Sequence, residues 1–194
     1  MDIGIYCKCK KGEIENGDDY LIKEIGDKLF IAVIDGLGHG PKASEAAITI
    51  KKAFNDQLSK GHLSLPLLFD IAHSRAGATR GGVVGAVLID FKKEIMSYMG
   101  VGNITARLIG ENENENFIST DGIVGYIMER KKAFEVKFQE RGILVLHSDG
   151  ISGRYGSGAI KRLAHLPAEE IAKEVVQSYG RNDRDDTTFI AVKF

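Results

Sequence analysis

The sequence predicts an α+β fold in which two antiparallel sheets are stacked face to face and helices cover their outer faces, a four-layer α-β-β-α sandwich. Three observations lead there. Strand-like and helix-like segments are segregated along the chain, which separates α+β from alternating β-α-β architectures. Consecutive strand segments are joined by short turns, which implies antiparallel pairing. Several strand segments, "KLFIAVID" and "TTFIAVKF" among them, are apolar on both faces, and such strands need cover on both sides.

Each element has its own local reason. Near the N-terminus Cys7 and Cys9 alternate with Tyr6 and Lys8 and would share one face of a strand. "DYLIKEI" alternates loosely and turns through "GD" into "KLFIAVID". "PKASEAAITIKKAFNDQL" sets Ala43, Ala47, Ile50, Phe54 and Leu58 on one helical face, with Pro41 suited to the first turn. "SLPLLFDIAHSRAG" reads as a second helix starting at Ser64 and stopping at Gly77. "GAVLIDFKKEIMSYMGVGN" is a hairpin that turns at "DFKKE", and "TARLIG", "AFEVKF" and "GILVLHSD" are further strands. "ENENEN", residues 111–116, has no apolar periodicity and reads as a solvated hairpin tip or loop. "LPAEEIAKEVVQSYG" carries Pro167 and two glutamates in its first turn, Ile171, Val175 and Tyr179 on its apolar face, and Gly180 at its end. "TTFIAVKF" is the last strand.

Composition excludes several classes of function. The 194 residues suit a single domain and are 43% hydrophobic and 27% charged, an ordinary globular balance. With 26 basic and 27 acidic residues the net charge is −1, so no electrostatic footprint points to nucleic acid or to a membrane surface. No apolar run approaches the ~20 residues that cross a bilayer. The N-terminal "MDIGIYCKCKKGE" is too polar for a secretory signal, and a cytoplasmic monomer is expected. Neighbouring positions on one strand face make poor disulfide geometry, and a zinc site needs about four ligands. Cys7 and Cys9 therefore read as reduced thiols.

The carboxylates carry the chemistry. Asp35 in "AVIDG" and Asp149 in "LHSDG" each follow an apolar strand and precede a glycine. Asp18 and Asp19 stand at the start of one strand, and Asp185 and Asp186 just before the last. Acids at the ends of neighbouring strands can converge on one edge of the core, where they repel one another unless cations sit between them. Magnesium and manganese are the hard, oxygen-seeking ions that suit such a site. Two such ions ~3.5–4 Å apart can hold a water and make it a nucleophile near neutral pH. Asp-Gly is also a common turn dipeptide, so pattern alone leaves a metal site and surface turns both open.

"NGDDYLI", "FIAVIDGLGHG", "HSDGIS" and "RDDTTFIAV", in this order and spacing, resemble the metal-dependent protein phosphatase family, the type 2C serine/threonine phosphatases, and within it the compact bacterial branch with SpoIIE and RsbX. The likeness covers residues 14–194, and the ordered set of four motifs carries it. It implies the same sandwich fold and two bound ions, manganese or magnesium. It implies that Asp35 bridges the ions, Gly36 offers its carbonyl, Asp149 and Asp185 complete one shell, and Asp18 lies near the second ion. Asp19 and Asp186 are the members of their pairs left without that role. His39, after the "DG", is placed as a general acid for the leaving alkoxide, with a plain loop histidine as the other reading; His147 packs within its strand. The activity implied is hydrolysis of phosphoserine or phosphothreonine through a metal-bridging hydroxide, on phosphorylated proteins of a bacterial stress-signalling, stressosome-type complex.

The chain departs from the family at three points. Glu13 stands where many members carry a phosphate-binding arginine, with only Lys10 and Lys11 close by. Asn103 in "GVGNIT" replaces an acid that can bind a third ion. Val83 in "RGGVVGAVLI" replaces a hydroxyl. These departures leave a second reading, a weak or inactive relative that binds phosphoprotein partners as a regulatory module. A nucleotide phosphate loop is disfavoured, because "GLGHGPK" matches neither glycine-rich fingerprint.

Overall fold

A computed structural model describes residues 1–129, 133–137, 141–152, 155–181 and 184–194. The order of elements is β1 (Asp2–Lys8), β2 (Asp18–Ile25), β3 (Lys28–Gly36), α1 (Pro41–Leu58), α2 (Leu65–Ala76), β4 (Gly82–Asp90), β5 (Ile95–Val101), β6 (Thr105–Gly110), β7 (Asn114–Phe117), β8 (Gly122–Ile123), β9 (Ile127–Met128), β10 (Phe134–Lys137), β11 (Gly142–His147), α3 (Ser157–Leu163), α4 (Ala168–Tyr179) and β12 (Thr187–Lys193). One sheet runs β1-β12-β11-β6-β7 and the other β10-β5-β4-β3-β2. Every strand pair within them is antiparallel.

Three apolar clusters make the four layers. Phe30, Ala32 and Ile34 of β3 pack with Ile50, Phe54, Leu68 and Phe69 of α1 and α2. The alternate residues Leu29, Ile31 and Val33 turn the other way, onto Leu144, Leu146, Ile190 and Val192 of the second sheet. That sheet's outer residues, Val145, Phe189 and Ala191, pack with Ile160, Ile171 and Val175 of α3 and α4. The period of two along a strand thus sends every second residue into each of two cores, which is why β3 and β12 read as continuous apolar runs.

The helices follow their sequence signals. α1 opens on Pro41 and buries all five of the residues placed on its apolar face. α4 buries Ile171 and Val175, and Tyr179 packs at its margin. Its N-terminus is satisfied from a distance, since Ala168 N–H donates to Asp2 Oδ2 at 2.7 Å. Among the described residues, no helix is long and apolar enough to cross a membrane.

The differences are local. Within "ENENEN" only the first residues turn; Asn114 begins β7 and pairs with Ile109. A solvated segment becomes a strand there because the edge of β6 offers unpaired main-chain groups. β8 and β9 have two residues each, too few to leave a periodic trace. β1 ends at Lys8, so Cys9 lies beyond the strand. Its thiol donates to the Glu13 and Glu15 carbonyls, while Cys7 Sγ accepts from Asn16 Nδ2; both thiols are free. Phe138, the last residue of the expected strand "AFEVKF", lies outside the described residues.

Phe54 sits between Phe30 and Phe69, with ring centroids 5.6 and 5.4 Å away. Phe54→Ala is expected to cost about 3–5 kcal/mol through the cavity it leaves, read as a lower urea midpoint at unchanged slope.

Candidate metal centre

The strand ends bring the acids together. Asp18 opens β2 and is the register partner of Asp35 near the end of β3. Asp149 follows β11, and Asp185 precedes β12. β11 and β12 pair through His147 and Phe189, so their ends on this side of the sheet are neighbours. One hydroxyl stitches the two sheets at this edge. Ser148, fully buried, donates from Oγ to Asp18 Oδ2 at 2.5 Å and accepts from Thr188 N–H at 3.0 Å.

The electrostatics are those of a site built for positive charge. Burial pushes Asp18 up to about 7; the Ser148 hydrogen bond opposes this, and Asp186 and Asp149 add to it. Burial pushes Asp35 up to about 9, and Asp18, Asp149, Asp185 and Asp186 all push the same way. Asp185 is raised by burial and then by Asp149. Among the described residues, no lysine or arginine forms an ion pair with Asp18, Asp35 or Asp149. Also among them, no three or more His, Cys, Asp or Glu side chains stand close enough together to hold a metal ion as placed. What exists is a pair of buried carboxylates, Asp18 and Asp35, raised by burial and by the acids around them, with Lys10 as a weaker opposing charge near Asp185. In residue type, that is the donor chemistry hard divalent cations satisfy.

Hydrogen bonding sorts the members of each pair. Asp186 spends both oxygens on the main chain, accepting from Lys10 N–H at 2.8 Å and Gly17 N–H at 3.0 Å. Asp19 accepts from Lys51 Nζ of α1 at 2.7 Å and from Tyr20 N–H. Asp18 and Asp185 carry other bonds, from Ser148 Oγ and from the adjacent Asp186 N–H. Gly36 has a packing reason beyond its carbonyl: a Cβ there would fall 2.0 Å from Ala43 O in the first turn of α1. Gly150 is held likewise against the Asp186 carbonyl, at 2.1 Å.

The remaining candidates also have definite places. Asn103 lies at the site as a donor, giving an Nδ2 hydrogen bond to Asp149 Oδ2 at 3.1 Å. Half-exposed His39 donates from Nδ1 to Glu13 Oε1 at 2.6 Å, which leaves Nε2 facing other partners. His147 is buried, stacked on Phe189 with centroids 5.8 Å apart. Its Nδ1–H donates to Ser148 O, and burial lowers its pKa to about 4. It is a neutral core residue. Sequence reasoning missed Ser148 and the clamping role of Asp186. A serine before an aspartate has no periodic signature, and the bonds of Asp186 reach residues about 170 positions away.

Comparison with known proteins defines the class. The model of the SpoIIE family, described as stage II sporulation protein E, matches residues 25–194. A chain solved in work on the bacterial stressosome, a modular system adapted to control secondary messenger signalling, is 30% identical, with 98% of this chain and 97% of that chain covered and a TM-score of 0.88. RsbX in complex with magnesium is 22% identical over 96% of this chain and 92% of that one, with a TM-score of 0.85. The PP2C phosphatase domain of SpoIIE from Bacillus subtilis, solved with a fragment of its regulatory domain, is 20% identical over 99% of this chain and 62% of that one, at 0.80. No curated protein sequence matches significantly. The architecture is that of the PP2C-type, metal-dependent protein phosphatases. Within that class, the chain belongs to the SpoIIE family.

Two outcomes follow from the charge arrangement. A carboxyl whose native pKa exceeds its unfolded value favours the fold while protonated. That contribution is complete below about pH 4 and lost as pH rises through about 7 for Asp18 and about 9 for Asp35. Chelator-treated protein should therefore lose thermal stability between pH 7.5 and 9, a window in which His147 is neutral whether folded or not. Added magnesium should restore most at the high end, as melting curves at several pH values would show. Asp35→Asn should melt higher than wild type at pH 8.5 without metal, yet show no magnesium heat in calorimetry.

Proposed function

We propose that the chain is a metal-dependent protein serine/threonine phosphatase acting on phosphorylated components of a bacterial stress-signalling complex. The observation that carries this reading is the gathering of Asp18, Asp35, Asp149 and Asp185, from four separate places in the chain, at one edge of the sandwich, where the buried Asp18 and Asp35 feel their acidic neighbours. The likeness to RsbX and to a chain from the stressosome work supports the substrate class.

Asp35, Asp149 and Asp185 would hold one manganese or magnesium ion, Asp18 would lie beside a second, and the Gly36 carbonyl would offer a further oxygen. Such ions supply a nucleophilic water at neutral pH and offset the charge of the phosphoryl oxygens. The chain's own groups do the rest. Ser148 fixes the orientation of Asp18, and Asn103 that of Asp149. Glu13 holds His39 by Nδ1, so Nε2 is the atom that would hand a proton to the leaving alkoxide. The products are the free serine or threonine hydroxyl and inorganic phosphate, with no covalent intermediate on the protein.

The second reading, a regulatory module that binds phosphoproteins without turnover, draws on Glu13 in place of a phosphate-binding cation. Hydrolysis of an aryl phosphate decides between them. Manganese-dependent turnover is expected, abolished by chelator. Asp149→Asn should reduce it by more than the ten- to hundredfold typical of a supporting contact. Folded, manganese-loaded protein without turnover on any phosphoprotein would select the binding module.

A further inference from the structure

We propose that Arg80 grips the phosphoryl group of the substrate, reaching the metal centre from the segment that leads into β4. The proposal rests on the phosphatase reading and names a substrate-binding residue for it.

The geometry begins with register. Gly82 pairs with Gly36, and Leu37 N–H donates to Gly81 O at 2.9 Å. Residues 80–82 therefore lie alongside the loop that follows Asp35. A Cβ on Gly82 would fall 2.5 Å from Asp35 O, and one on Gly38 would fall 2.9 Å from Arg80 Nη1. The guanidinium thus rests on the loop three residues beyond Asp35. Arg80 is exposed, and among the described residues no hydrogen bond or ion pair engages it. Lys51, Arg75 and Arg107 are committed, to Asp19, Asp56 and Tyr155 O respectively, and Lys10 acts on Asp185.

The backbone that carries Arg80 is fixed on both sides. Thr79 Oγ1 donates to Ala76 O at the end of α2 and accepts from Gly81 N–H. Gly82 and Val124 exchange hydrogen bonds of 3.0 and 2.8 Å. The backbone of such a mount needs no further ordering when the side chain binds an anion. The other flank of the loop is closed to an anion, since the Glu13 carboxylate lies against Gly40 and holds His39. A phosphate dianion approaching the acids thus meets negative charge on the Glu13 side and an unengaged planar fork on the Arg80 side. Two parallel N–H donors match two phosphoryl oxygens, a geometry that lysine does not reproduce.

The experiment pairs kinetics with binding. Wild type, Arg80→Ala and Arg80→Lys are compared for p-nitrophenyl phosphate hydrolysis with manganese. Calorimetry then measures inorganic phosphate on the magnesium-loaded proteins, and magnesium itself as a control. Arg80→Ala should raise KM about ten- to a hundredfold, the loss of a charge-assisted contact, and weaken phosphate binding equally. Arg80→Lys should fall between, with magnesium binding unchanged in both. Equal KM and equal phosphate affinity in wild type and Arg80→Ala would overturn the proposal while leaving a phosphatase. Wild type that binds phosphate through Arg80 but never turns over would uphold the anion site and overturn the phosphatase reading.

Discussion

Carboxylates that cannot all be charged at once govern this end of the molecule. Asp35 feels the negative potential of four other aspartates while burial strips it of water. A chain can hold such a set only where rigid elements meet and every other polar demand has been met. The β2–β3 register places Asp18 against Asp35. The Ser148 hydroxyl ties one sheet's strand end to the other's, and Asp186 turns its charge toward main-chain amides. The fold holds the repulsion in place, as binding sites often trade stability for function.

The sandwich supplies the rigidity. Each inner strand buries residues on both faces, so its end cannot shift without disturbing two cores. β3 carries Asp35 on the most deeply buried strand of its sheet, with six consecutive buried residues before the aspartate. Sites set on such strands hold their geometry better than sites on loops.

Much of this was legible from residues alone. Doubly apolar segments announced covered strands, and Pro41 and Gly180 marked helix ends that the structure keeps. The four acidic motifs stand where strand ends converge. The sequence could not show which acid of a pair is consumed locally. Asp19 is held by Lys51 and Asp186 by amides far away in the chain, and only tertiary geometry reveals either. β7 to β9 escaped for a different reason: their hydrogen bonds depend on neighbouring main chain, and their side chains follow no period.

The two bonds accepted by Asp186 also pin the ends of the segment between Lys10 and Gly17. Lys11, Ile14 and Glu15 within it are exposed, Ile14 almost wholly, while Glu13 and Asn16 turn inward. The path of the backbone is fixed at its roots while the exposed residues along it face few packing demands. Such an arrangement makes a display loop in part: Lys11, Ile14 and Glu15 can be exchanged with little disturbance to the acids beneath, whereas Glu13 and Asn16 are tied to His39 and to the Asp18 main chain.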